Sequence, residues 1–346
     1  MPDIEKLVAA FEDPAIVELM VNPDGSVYTE RPGKGMERLL VAPTQQDVAA
    51  FLQGVLGTNE AFGADRPYAD LSAVDGSRVH VLAPPLAKGL TITIRKRPDR
   101  RPNLDELITA GTLSLECAEF LSYLVEQKKN ILVAGGTSSG KTTLLAALAA
   151  RSGASERIVV LEDTPELTLP QKHVLYLRTR TREAGGRPDV TLRDLVVNTL
   201  RMRPDRIVVG ETRGPEAADM LQAMNVGCDG MLTTLHANSA REALMRLETL
   251  VLQAGIDMPL KAIRSNIVTA VEFIVFLARL GDGSRKIMQV AEITGMEIDT
   301  ISMSDLFTLD VRKGASVLRP SGAIPRFYDR LRKQGIEPPM DFFRSN

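Results

Sequence analysis

The sequence predicts an α/β fold: a domain built around a phosphate-binding loop, preceded by a small α+β domain. Three observations carry that expectation. Residues 130–150 read NILVAGGTSSGKTTLLAALAA, an apolar strand-like run, a Gly/Ser-rich turn and a run of strong helix formers. Downstream, RIVVLED (157–163), RIVVGET (206–212) and MLTTLHANS (231–239) are further apolar runs, each delivering a polar group at its end. Upstream, residues 1–97 hold short alternating runs separated by turn signals.

The central turn spells Gly135-Gly136-Thr137-Ser138-Ser139-Gly140-Lys141-Thr142-Thr143, the G-x-x-x-x-G-K-T pattern of Walker A. Small residues let the backbone wrap a pyrophosphate with several N–H groups pointing inward. The helix that follows adds the partial positive charge of its N-terminus. In such loops the lysine, here Lys141, reaches the β- and γ-phosphates, and the hydroxyl of Thr142 ligates Mg2+. At average residue frequencies the bare pattern arises by chance in about one chain in a hundred of this length. Here a strand precedes it and a helix follows. A nucleoside triphosphate is the expected ligand.

In chain order, residues 4–12 read as a helix ended by Asp13-Pro14. IVELMV, the Asn22-Pro-Asp-Gly25 turn and SVYTER form a hairpin. A helix is expected over Gln45–Leu56 with Thr44 as its N-cap. ADLSAV, the Asp75-Gly76 turn, SRVHVLAP and LTITIRKR supply further strands, and the first domain closes at residue 97. Residues 98–103, polar and twice interrupted by proline, read as a linker to a second domain over 104–346. Helices over Leu104–Ala110 and Ser114–Gln127 lead into the loop strand. After the core come helices over Ala240–Gln253 and Pro259–Thr269. A hairpin from VEFIVFLARL and SRKIMQVAEIT, the strand region SMSDLFTLDV, a terminal helix at FYDRLRKQG and an extended end complete a helical and hairpin extension.

Polar groups at the C-terminal ends of parallel strands lie where α/β sheets bind ligands. Glu162 and Asp163 are candidates for the metal-water shell with Thr142. Glu211, at the tip of a Walker-B-like strand, is the candidate for orienting or deprotonating the attacking water, or for holding Mg2+ through water. His236 is a candidate γ-phosphate contact, although a lone histidine is more often structural. Arginines 178, 180, 182, 187, 193, 201, 203 and 206 crowd the segment between the first two of these strands. They read either as a solvated face or as fingers reaching a neighbour's triphosphate, with Gly185-Gly186 marking a mobile loop among them. Arg78 and the Arg95, Lys96, Arg97 cluster carry the same two readings in the first domain.

Composition narrows the field. A net charge of −2, no tryptophan and 4% aromatics argue against a basic, base-stacking nucleic-acid channel. The two cysteines, Cys117 and Cys228, lack a zinc spacing and suit a reducing compartment. No apolar run reaches the length of a membrane span, and the first residues carry acids where a signal peptide carries bases. A cytoplasmic protein, peripheral to any membrane it serves, is expected.

GGTSSGKTT, LEDTPEL, LRMRPDRIVVGETRGPEA and GCDGMLTTLHANS resemble the Walker A, Asp box, Walker B and His box of the secretion traffic ATPases, the motors of type II and type IV secretion, conjugation and type IV pili. DGSRVHVLAPP and LTITIRKR are similar to that family's N-terminal domain. EITGMEIDTISMSDLF and SGAIPRFYDRLRKQGIEPP look most like the CpaF-like branch of tight-adherence (Flp) pilus assembly, and DPAIVELMVNPDGSVY is similar to conjugative TrbB-like proteins. The long N-terminal extension common in CpaF-like proteins and the four-cysteine module of GspE-type enzymes are missing. The resemblance implies a RecA-like P-loop domain, a PAS-like N-terminal domain and a homo-hexameric ring hydrolysing ATP with Mg2+. The ring would dock on an inner-membrane platform protein, with no nucleic-acid partner. It also implies that Arg95, Arg201 and Arg213, then Arg178 and Arg180, complete the site, that His236 belongs to it, and that Glu162 and Glu166 are the Asp-box acids.

Overall fold

The structure, a computed structural model, describes residues 3–31, 34–57, 67–97, 102–180, 188–312 and 315–343. The chain divides into two compact units, residues 1–100 and 101–346. The first contains α1 (Asp3–Glu12), β1 (Glu18–Val21), β2 (Val27–Arg31), β3 (Gly35–Leu39), α2 (Gln45–Leu56), β4 (Tyr68–Ser72), β5 (Arg78–Leu82) and β6 (Thr91–Arg95). Its strands form one antiparallel sheet in the order β3-β2-β1-β6-β5-β4. Leu19, Val21, Val79, Val81, Ile92 and Ile94 alternate inward onto a core shared with Leu7 of α1 and with Val48, Phe51 and Leu52 of α2. Thr44 caps α2 in a reciprocal box with Asp47, an arrangement that typically stabilises a helix by about 1 kcal/mol. The strand β3 was not expected. It is an edge strand in which Met36, Glu37 and Arg38 are exposed in succession, so no alternation marks it. Linker residues 98–101 lie outside the described residues, while Asn103 is the N-cap of the next helix.

The second unit contains α3 (Leu104–Thr109), α4 (Leu115–Glu126), β7 (Ile131–Gly135), α5 (Lys141–Ala149), β8 (Ile158–Glu162), β9 (Val174–Arg178), α6 (Leu192–Thr199), β10 (Arg206–Val209), α7 (Glu216–Asn225), β11 (Leu232–His236), α8 (Ala240–Gln253), α9 (Leu260–Ala270), β12 (Phe273–Arg279), β13 (Arg285–Glu297), β14 (Thr300–Arg312), β15 (Ala315–Pro320) and α10 (Phe327–Lys333). One sheet runs β15-β14-β13-β12-β7-β11-β10-β8-β9. From β12 to β9 its strands are parallel. From β12 outward through β15 they are antiparallel. The expected hairpin extension is therefore not an appendage. Phe273, Ile274 and Val275 are buried on both faces of β12, and the strand pairs in parallel with β7 at the centre of the sheet.

Alternation splits this sheet between two cores. Ile131, Val133, Ile158 and Val160 pack with α4 and α5. Leu132, Ala134, Val159 and Leu161 pack with α6 to α9. The end of the chain joins the first core. A 3₁₀ turn over Asp341–Phe343 replaces the expected extended end, and Phe343 and Phe342 lie 5.2 and 6.0 Å from Phe120, ring centre to ring centre. No helix among the described residues is long and apolar enough to cross a membrane. The fold's consequence for function is one edge. The C-terminal ends of β7, β11, β10 and β8 stand side by side, and the chain emerging from each carries a polar group.

Candidate active site

At the centre of this edge the chain leaves β7 and enters α5. Gly135 admits no side chain, because a Cβ there would lie 2.5 Å from Ser139 Oγ and 2.6 Å from the Leu277 carbonyl oxygen. Ser138 and Gly140 adopt left-handed φ values of 58° and 97°. The Gly136 carbonyl accepts from Ser139 Oγ at 2.9 Å and from Lys141 Nζ at 2.8 Å, and Lys141 is buried. No side chain caps α5. A buried ammonium, an uncapped helix N-terminus and the half-buried hydroxyls of Thr142 and Thr143 form a donor set that fits a polyphosphate. The Thr142 hydroxyl fits Mg2+, which prefers one protein oxygen plus phosphates and water to an all-protein cage.

Beyond β8, Glu162 is buried, and its Oε1 accepts the backbone N–H groups of Glu166 and Leu167 at 2.9 Å each. One carboxylate oxygen thus shapes the following turn. Beyond β10, the peptide around Glu211 is held by buried threonines. The Thr212 amide donates to the Thr234 carbonyl at 2.9 Å, Thr234 Oγ1 donates to the Gly210 carbonyl at 2.7 Å, and the Thr212 and Thr233 hydroxyls meet at 2.8 Å. The buried Glu216 carboxylate accepts the amides of Arg213 and Gly214 at 2.7 and 2.8 Å. Glu211 projects from this frame. Its Oε1 lies 2.8 Å from His236 Nε2, and its Oε2 lies 3.4 Å from Arg213, whose same nitrogen is 2.9 Å from Asp163.

These groups line a cavity of about 280 Å³ bounded by Glu211, Thr212, Arg213, Leu235, His236 and Arg246. Desolvation, then the Lys141 ammonium, hold the His236 pKa below its ordinary value. The Glu211 carboxylate opposes them, and Arg213 and Arg246 add to the depression. The imidazole is therefore neutral near pH 7. The Glu211 carboxylate, the one group that opposes this depression, lies beside the ring at 2.8 Å.

The family described as "Type II/IV secretion system protein" matches residues 72–305. The chain belongs to this family. The conjugal transfer protein TrbB of Rhizobium radiobacter is 33% identical over 295 residues, covering 84% of this chain and 88% of TrbB. The type IV secretion system protein VirB11 of Brucella suis is 32% identical over 307 residues, covering 79% of this chain and 83% of VirB11. The solved structure of the ATPase DotB from Legionella pneumophila superposes with a TM-score of 0.58 at 18% identity, over 82% of this chain and 79% of that one, a likeness of fold.

The arginines of this family member fall into distinct settings. Arg213, expected to complete a site, bridges Asp163 and Glu211 of its own chain, so Asp163 faces a guanidinium. Arg201 stands at the other end of the sheet. The Met202 carbonyl beside it accepts from Arg157, the residue that precedes β8, and the length of β10 puts roughly 13 Å between the two edges. Arg201 therefore does not reach its own loop. Arg206, counted among possible fingers, is fully buried, pairs with Glu156 at 2.8 Å and donates to the Gly230 and Val125 carbonyls. Arg193 pairs with Asp219 and Arg180 donates to the Pro188 carbonyl. Arg178 is exposed at the end of β9, level with Glu162. Arg182, Arg187 and Gly185-Gly186 lie outside the described residues. In the first unit, Arg95 is on the outward face of its sheet between Glu18 and Arg78, while Lys96 donates to the Asp13 carbonyl. Two arginines were not anticipated. Arg246 enters the cavity from α8, and Arg285 reaches the loop from β13. Neither carries a motif, because each is brought in by tertiary packing.

Proposed function

We propose that this secretion-family chain is an ATP-hydrolysing motor subunit. The observation that carries the reading is Glu211, held just beyond β10 with its Oε1 2.8 Å from His236 Nε2, where burial and then the Lys141 ammonium depress the histidine's pKa. In this reading Lys141, the loop amides and the α5 N-terminus hold the β- and γ-phosphates, and Thr142 holds Mg2+. The metal, when bound, neutralises charge on the phosphates. Glu211 orients the attacking water and accepts its proton, and His236 keeps that carboxylate aimed. Glu162 sets the adjoining turn, and Asp163 holds Arg213 beside Glu211.

The subunit works in a homo-hexameric ring at the cytoplasmic face of the inner membrane, docked on a platform protein, with Arg95, Arg201 and Arg178 available to a neighbouring copy. A tight-adherence pilus motor is favoured by EITGMEIDTISMSDLF and SGAIPRFYDRLRKQGIEPP. A conjugative or type IV secretion motor is favoured by the similarity to TrbB and VirB11 along most of the chain. The test is steady-state Mg-ATP hydrolysis across a wide range of protein concentration, with Glu211→Gln alongside. Loss of one positioned catalytic group is expected to lower turnover by about 10²–10⁴-fold. Wild-type specific activity should rise with concentration as rings form. Equal turnover in the two proteins would sink the assignment of Glu211, and stimulation by DNA would favour a nucleic-acid translocase instead.

A further inference from the structure

The phosphate-binding loop is braced from a second direction. Ser138 holds a left-handed conformation that an L residue keeps only when its surroundings impose it. Arg285, the first residue of β13 and 147 positions further along the chain, donates from Nε to the Ser138 carbonyl oxygen at 3.0 Å. Its Cδ lies 3.3 Å from the place a Cβ on Gly140 would occupy, so the arginine stem covers the residue that caps α5. The hairpin's other strand also presses on the loop, through the Leu277 carbonyl beside Gly135. Lys286 ties the hairpin to the Gly111 carbonyl, between α3 and α4.

Peptide planarity gives this brace a direction. In a trans peptide the carbonyl of one residue and the N–H of the next point opposite ways. With the Ser138 carbonyl turned out to Arg285, the Ser139 N–H turns inward, where it meets the Gly136 carbonyl at 3.4 Å. Lys141 bonds to that same carbonyl. Arg285 therefore acts from outside on the peptide whose N–H closes the turn onto the Gly136 carbonyl, the same carbonyl that holds Lys141. Because it sits on the outer surface, its bond need not break when an anion enters.

We infer that Arg285 is a positioning residue for phosphate binding, holding Ser138–Gly140 in the shape that aims the loop's amides inward. The inference rests on the nucleotide reading above, and its test separates the two. Mg-ADP and Mg-pyrophosphate are titrated calorimetrically into wild type, Arg285→Ala, Arg285→Gln and Arg285→Lys, and amide hydrogen exchange is followed in the ligand-free proteins. A charge-assisted bond at an exposed site predicts about fivefold weaker binding of both ligands by Arg285→Ala, with partial recovery in Arg285→Lys. KM for ATP should rise while kcat at saturation stays within about twofold, since the loss is one of uniform binding. Exchange across residues 136–141 should quicken without ligand, while β10 and β11 exchange as in wild type. Should Arg285→Ala prove unstable, Arg285→Gln keeps most of the stem and tests the same bond. Unchanged affinity for both ligands with unchanged loop exchange overturns the inference. A loss for ADP with none for pyrophosphate also overturns it, because Arg285 would then touch the nucleoside. A wild-type protein that binds neither ligand overturns the nucleotide reading and this inference together.

Discussion

Two arginines flank the same short strand and lead opposite lives. Arg206 opens β10 at the edge away from the phosphate loop. Its side chain is wholly buried, and its nitrogens are used by Glu156, Gly230 and Val125. Arg213 follows β10 at the loop edge. Nearly half of its side chain is exposed, and it spans two acids, Asp163 and Glu211, that would otherwise repel. One edge of the sheet is thus sealed by a saturated network that positions backbone. The other keeps charge half in solvent, around a cavity. Residue type is the same for both, so the difference lies in burial and in the partners, one carboxylate and two carbonyls for Arg206 against two carboxylates for Arg213. A sheet that must bind a ligand at one edge needs the other edge rigid.

The largest effect expected from this contrast is on stability. Arg206→Ala takes the guanidinium from the Glu156 carboxylate and from the buried Gly230 and Val125 carbonyls, and breaking a buried ion pair on one side costs about 3–5 kcal/mol. Denaturant unfolding measures it. A loss under about 1 kcal/mol would mean that water replaces the guanidinium and the edge is not sealed. Arg213→Gln should reverse the pattern. Exposed pairs contribute below about 1 kcal/mol, so unfolding should hardly change. Turnover at saturating Mg-ATP should fall about tenfold, because Glu211 loses one of the two contacts that aim it and orientation is what such sites supply. If Arg213→Gln were instead as destabilising as Arg206→Ala, the contrast between the edges would collapse.

The loop edge was far more legible in the sequence than its surroundings. Walker A can be read directly because phosphate binding leaves little choice of residue at Gly135, Gly140 and Lys141. Glu211 and His236 can be read as strand tips because all-apolar parallel strands have visible ends. What packs around them was not visible. The segment containing β9 reads as an arginine-rich stretch, since exposed and half-buried residues mix along Val174–Arg178. The helix α7 hides behind Gly214-Pro215, a turn signal that here sits at the helix start. The place of β12 beside β7 depends on pairing across more than a hundred residues, and no local pattern encodes that. Arg246 and Arg285 were missed for the same reason, and the arginine-rich stretch drew attention to Arg201 and Arg206, which the topology carries to the far edge.

The smallest effect expected, and the finest probe of the loop edge, is the titration of His236. Burial and the Lys141, Arg213 and Arg246 cations depress its pKa, and Glu211 alone opposes them. The sign follows from linkage. The native ring resists protonation while the unfolded ring accepts a proton near its ordinary pKa of about 6.5. The unfolded state therefore binds more protons between the depressed native value and that figure, and stability declines as pH falls through this window. The ring resonances of His236, distinguished from His80 and His173 by a His236→Gln spectrum, report the native pKa directly. Arg246→Gln and Arg213→Gln should each move it upward toward the ordinary value, and Glu211→Gln should move it further down. A shift from Arg246→Gln in the opposite direction, or none, would remove Arg246 from the electrostatics of the cavity. It would then leave the loop edge with Arg213 and Lys141 as the cations His236 senses.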